Sequence, residues 1–167
     1  MGLGISYFKL INREYYKEIP IGLILLNWII QRIFSVNAEV PFSVHYTSKI
    51  SGFKYLNIDD SSKLSFAVSG GAHIVATEKG NLDIGKDVIF AFNVCIQTIN
   101  HDLINRKKYH AIPVKIGDNC WIGNSVTILP GVTLGNNVTV GANSVVTKSF
   151  PDNVIIAGCP AVIIKEI

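Results

Sequence analysis

The chain is 167 residues long, 49% hydrophobic, and carries a net charge of +3 at pH 7. That is one domain, or one domain with a short N-terminal appendage, and basic residues cluster only at Arg106-Lys107-Lys108, too few for a nucleic-acid-binding surface. Cys95, Cys120 and Cys159 are odd in number and lack CxxC or metal-site spacing, which excludes a disulfide framework and points to reduced thiols in the cytoplasm.

Met1-Gly2-Leu3-Gly4 has no basic region ahead of an apolar run and no small-residue cleavage site, so no secretion signal is expected. Residues 19–34, IPIGLILLNWIIQRIF, form the longest apolar run. Interrupted by Asn27, Gln31 and Arg32, the run falls short of a spanning helix, which needs about 20 residues. The favoured reading is a helix that caps the open end of the following domain. The other is an interfacial helix at the inner face of a membrane, with Tyr15, Tyr16, Lys17, Trp28 and Arg32 at the headgroup boundary and Leu23, Leu26, Ile30, Ile33 and Phe34 as its apolar face. Residues 1–43 are thus predicted to be a helical or capping segment, and 44–167 the main domain.

That domain is predicted to be mainly β. Ser48–Ile50, Asn57-Ile58 and Ser62–Leu64 read as irregular first rungs, with widened corners at Gly70-Gly71 and Lys79-Gly80. Leu82–Ile84, Val88–Phe90 and Val94–Ile96 are then regular in-out-in triplets, separated by the corners Gly85-Lys86-Asp87 and Ala91-Phe92-Asn93. His73, counted back from Ile84, lies among the irregular rungs and reads most simply as a hydrogen-bonded corner residue.

Between Ile96 and Ile116 this register breaks. The segment between them exceeds a single repeat by more than two further repeats, or by just over one if Asn100-His101-Asp102 forms a further rung. The ejected loop, at about 99–113, contains LINRKKYHAIP, with three consecutive cations, Tyr109 and His110. Rigid solenoids place function in such loops. His101, at the loop's root, is suited to general-base chemistry near neutral pH.

From residue 114 the period is six. Ile116, Ile122, Ile128, Leu134, Val140 and Val146 recur at that spacing, each preceded two places earlier by an apolar or small residue. A 3.6-residue helix would scatter these positions, so they read as short strands joined by three-residue corners of Gly and Asn that tolerate positive φ. Stacked, they make a parallel β-helix. Cys120 points in, Cys95 out. Thr127, Thr133 and Thr139 point outward on three different faces, which excludes the threonine ladder of an ice-binding surface. Trp121 also points outward and needs a partner: another subunit, a stacking ligand or a covering loop. Association through the faces would cover it in a symmetric oligomer.

Residues 116–167 carry WIG at 121–123, LPGV at 129–132, GANSVVTK at 141–148 and AGCPA at 157–161. In this order and spacing they closely resemble the hexapeptide-repeat acyltransferases, nearest to the maltose and galactoside and the capsule and lipopolysaccharide O-acetyltransferases. The resemblance covers 82–167 well and 44–81 loosely. It implies a left-handed parallel β-helix, a homotrimer, acetyl-CoA as donor with no metal, and a sugar or glycan hydroxyl as acceptor. It also implies roles for single residues. His101 matches the catalytic base and is preferred to its rival His110. Trp121, Ala142, Thr147 and Lys148 match positions along the coenzyme A channel. Lys165 stands where an Arg often meets the nucleotide phosphate, keeping the charge without the bidentate fork. His73, Asn100, Asp102 and His110 fall among acceptor-side positions. No nucleophilic Ser or Cys motif is present, so direct transfer is expected. A xenobiotic or serine acetyltransferase and an amino-sugar N-acetyltransferase are the alternatives, and a non-catalytic scaffold is disfavoured because His101 and Trp121 are both present. A zinc carbonic anhydrase of this fold would need histidines in the repeats after the loop, and none is there.

Overall fold

The computed structural model of the protein describes Lys17 and residues 19–167, so Tyr15, Tyr16 and the rest of 1–16 and 18 lie outside the described residues. A helix α1 (Ile21–Arg32) is followed by β1 (Lys49–Ser51), β2 (Leu56–Ile58), the short helix α2 (Lys63–Val68), β3 (His73–Val75), β4 (Leu82–Ile84), β5 (Ile89–Phe90) and β6 (Cys95–Gln97). A hairpin of β7 (Ile99–His101) and β8 (Tyr109–Ala111) interrupts the series. Then come β9 (Val114–Ile116), β10 (Trp121–Ile122), β11 (Thr127–Ile128), β12 (Thr133–Leu134), β13 (Thr139–Val140), β14 (Val145–Val146), β15 (Val154–Gly158) and β16 (Ala161–Glu166).

These strands stack into a left-handed parallel β-helix with three faces. Face A is β1-β3-β6-β11-β14, face B is β2-β4-β9-β12, and face C is β5-β10-β13-β15, closed by the antiparallel β16. The chain visits A, B and C in turn, and a regular coil is three hexapeptides, as from Trp121 to its partner Thr139. Each short strand sends its apolar residues into one column. Ile74, Ile96 and Ile128 stack beneath face A, Ile116 and Leu134 beneath B, and Ile122, Val140 and Ile156 beneath C, all fully buried. Thr127, Thr133 and Thr139 open onto A, B and C respectively.

The corners divide two tasks that the sequence merges. Left-handed φ falls on the last corner residue: Asp87, Asn93, Asn119, Ser125, Gly131, Asn137 and Asn143. Gly117 has another role. A Cβ there would lie 2.6 Å from the carbonyl oxygen of Gly135 in the next coil, so glycine at this point permits close stacking of backbones.

The first coil departs from the predicted rungs. Ser62–Leu64 is no strand; Ser62 precedes α2, and Lys63 and Leu64 begin it, in the place a strand would hold on face C. The edge of β5 is instead satisfied by side chains. Val88 N–H donates to Ser62 Oγ at 2.9 Å and Phe90 N–H to Ser65 Oγ at 3.1 Å. The hydroxyls of Ser62 and Ser69 donate to the carbonyls of Gly85 and Phe90, at 2.7 and 2.6 Å. Three serines, in the helix and at its two ends, therefore do the hydrogen bonding of an absent strand. Ser65→Ala, which strands a buried N–H, is expected to cost about 1–3 kcal/mol in a denaturant titration.

The helix α1 is anchored through its polar side. Its buried residues are the polar ones, Asn27 and Gln31. The Asn27 amide donates to Ser43 Oγ and the Ala67 carbonyl, and its oxygen accepts from Tyr46 N–H. Gln31 donates to the Phe42 carbonyl and accepts from Val44 N–H. Leu23 and Ile30 are half-buried, whereas Ile21, Leu25, Leu26, Trp28, Ile33 and Phe34 are exposed. The expected stripe of Leu23, Leu26, Ile30, Ile33 and Phe34 is therefore not a single face, because backbone groups at 42–46 claim the helix's polar side. Among the described residues no helix is long and apolar enough to cross a membrane.

Candidate active site

Trp121 pairs with Ile89 in the coil below it and with Thr139 in the coil above. The step up to Thr139 is a regular coil, whereas the step from Ile89 is longer by more than two hexapeptides. All of that excess leaves the column. Asn100-His101-Asp102 does not form a further rung: Ile99–His101 pairs antiparallel with Tyr109–Ala111. The hairpin stands on the edge between faces A and B, rooted by Ile112 N–H donating to the Thr98 carbonyl at 2.8 Å.

His101 Nδ1 lies 2.8 Å from the Arg106 carbonyl oxygen. A carbonyl only accepts, so Nδ1 carries the proton and Nε2 of the neutral ring presents a lone pair. On the hairpin's other side, His110 Nε2 is 2.8 Å from Asp102 Oδ2. Asp102 Oδ1 accepts from the N–H groups of Ile104 and Asn105, at 2.9 and 2.7 Å. The His110 bond, then these N–H groups, pull the half-buried Asp102 carboxyl from 3.8 down to about 2. A depressed carboxyl stabilises the folded form above its unfolded value and ceases to as the pH falls through the folded one. The brace is therefore complete above about pH 4 and lost toward about pH 2. Asp102→Asn should loosen the hairpin at neutral pH, read as faster tryptic cleavage at Arg106-Lys107-Lys108 with the melting of the column unchanged.

The remaining candidates fall into groups. Trp121 projects from face C, 56% exposed, in a transverse row with Ile89, Thr139, Ile155 and Lys165. Ala142 lies at the corner from C to A. Thr147 and Lys148 lie at the corner from A to B, on the same edge as the hairpin. His73 is exposed, but on strand β3 next to Cys95 and Lys49, not at a corner. Face C is the side of the prism opposite the A–B edge, so one chain does not bring Trp121 to His101. Burial pushes the Cys95 and Cys120 thiols up, and among the described residues no three His, Cys, Asp or Glu side chains gather where they could hold a metal. Two features escape the sequence reading: the Arg106 carbonyl that sets the His101 tautomer, and a cleft where Thr77, Glu78 and Lys79 face Tyr109 and Ala111. Only the ejected Tyr109 hints at the second.

Residues 113–148 match the family described as bacterial transferase hexapeptide (six repeats). The galactoside O-acetyltransferase of Escherichia coli K12 is 43% identical over 88 residues, which is 50% of this chain and 43% of that one. The solved structure of a galactoside acetyltransferase in complex with coenzyme A superposes with a TM-score of 0.58 at 28% identity, covering 75% of this chain and 62% of that one. A polysialic acid O-acetyltransferase gives a TM-score of 0.55 at 36% identity, covering 74% and 56%. This chain thus spans less than two thirds of the length of each. Residues 113–148 carry the hexapeptide repeat of the bacterial transferases, and in fold and sequence the chain is similar to the acetyltransferases built on it.

Proposed function

We propose that the protein transfers the acetyl group of acetyl-CoA to a sugar hydroxyl, in the assembly of a capsule, lipopolysaccharide or exopolysaccharide, as a cytoplasmic homotrimer. The observation that carries this reading is the His101 ring, whose Nδ1–H is engaged by the Arg106 carbonyl so that Nε2 is free to accept a proton. Nε2 takes the hydroxyl proton as the oxygen attacks the thioester carbonyl. The carbon–sulfur bond then breaks, the acetyl ester forms, and the proton passes to the departing coenzyme A sulfur. Neither Cys95 nor Cys120 takes a covalent part, since burial holds both in the thiol form.

The donor is supported by the coenzyme A complex of the galactoside acetyltransferase, and the acceptor class by the galactoside and polysialic acid enzymes. Trp121, Ala142, Thr147, Lys148 and Lys165 are assigned to coenzyme A, and Asn100, Asp102, His110 and His73 to the acceptor side. The separation of Trp121 from the hairpin supports the trimer: a site using both must draw them from neighbouring subunits. Residues 44–167 form the transferase unit and 1–43 its N-terminal cap. The outward apolar residues of α1 support peripheral contact with a membrane. The test is release of coenzyme A from acetyl-CoA across a panel of cell-envelope sugars, with the acetyl ester identified by mass spectrometry. Absence of ester from every sugar overturns the reading.

A further inference from the structure

In a hairpin, directly opposed residues project to the same side and their neighbours to the other. His101 is opposed by Tyr109 and Ile99 by Ala111, so these four share one side, while Asn100 and His110 share the other. On the His101 side the hairpin faces the corner that joins β3 to β4. Between them lies a cleft of about 270 Å³ lined by Thr77, Glu78, Lys79, Tyr109 and Ala111. The corner is fastened by paired Thr77–Gly80 backbone hydrogen bonds of 2.9 and 3.0 Å. The Thr77 hydroxyl and the neighbouring Thr98 hydroxyl are both shut away from solvent, and neither has a hydrogen-bond partner among the described residues.

The exposed polar side chains of Glu78 and Lys79 beside the exposed Tyr109 ring describe a surface for a ligand that is apolar on one face and hydroxylated at its rim. A sugar ring has that character: its C–H face packs on Tyr109, and its hydroxyls meet Glu78 and Lys79. The volume lies just below the range of small-molecule sites, which begins at about 300 Å³, and suits one ring but not coenzyme A. His101 does not line the cleft although Tyr109 opposes it directly. A ring seated there cannot be the one that gives up its proton. It is the unit next to it.

The geometry points to a subsite for a second sugar, so that the acceptor is a glycan of at least two units and Tyr109 is the residue that selects for it. This rests on the sugar-acetyltransferase reading above, but binding tests it separately from transfer. Calorimetric titration would compare galactose with lactose, glucose with maltose, and sialic acid with disialic acid. In at least one pair the disaccharide is expected to bind about tenfold more tightly, a difference of about 1.4 kcal/mol. Tyr109→Ala should erase that ratio and Tyr109→Phe, which keeps the ring, should retain it. No gain for any disaccharide, or a gain that survives Tyr109→Ala, overturns the subsite. A gain that follows Tyr109 in a protein that forms no acetyl ester on these sugars or on any of the cell-envelope panel above leaves the subsite standing and removes the transferase reading instead.

Discussion

Replacing His101 by alanine is expected to slow acetyl transfer by roughly 10²–10⁴-fold, the usual contribution of a general base, while acetyl-CoA still binds within a few-fold of the parent. The split follows from role: His101 is proposed to act on the acceptor proton, and none of the residues assigned to coenzyme A lies on the hairpin. Alanine also removes the bond to the Arg106 carbonyl, which helps to shape the hairpin. His101→Asn separates the two effects, because its amide can donate to that carbonyl but cannot take a proton, and it should be as slow as alanine. His110→Ala should cost far less, since His110 projects from the other side of the hairpin and its ring braces Asp102. A His101→Ala enzyme at near-parent rate, with His110→Ala inactive, would reverse the assignment.

The largest structural effect is expected from the column beneath the hairpin. Ile96 is fully buried on face A, between Ile74 and Ile128 in adjacent coils. Ile96→Ala removes three carbons from a site whose neighbours are pinned by ladder hydrogen bonds above and below, and so cannot collapse into the space. A loss of about 2–5 kcal/mol is expected, against about 0.5–1.5 kcal/mol for Ile96→Val, read from the shift of a urea midpoint with unchanged slope. An alanine variant no less stable than the valine one would mean that the coils slide to fill the gap, contrary to a rigid stack.

The regular half of the molecule is legible because its in-out-in triplets recur without a fault. Val114 through Val146 can be placed in or out by counting, and Cys120 inside with Cys95 outside follows from the same count. The irregular half is not. Ser62–Leu64 resembles a weak rung because a serine at an inward position looks like a degraded repeat; its true role, serving the edge of β5, exists only once β5 is beside it. The apolar spacing of α1 does not tell which side faces the domain; Asn27 and Gln31 decide it by satisfying backbone groups at 42–46. Asn100–Asp102 could continue the column or leave it, and only the pairing of His101 with Tyr109 decides. His101 itself is found through family resemblance. Its tautomer depends on the carbonyl of Arg106, farther along the hairpin, and has no sequence signature.

A coil of three hexapeptides makes the column a counter with three positions. Gaining or losing one hexapeptide between Ile84 and Trp121 within the stack would carry Trp121 from one face to the next, and every later outward side chain with it. A gain or loss of a whole coil would leave the phase intact. The hairpin is exempt from this arithmetic, because Thr98 and Ile112 hold its two ends together with a single hydrogen bond. Its length can change by any number of residues without turning a face. If the proposed roles hold, acceptor preference can diverge there while the donor surface stays in phase.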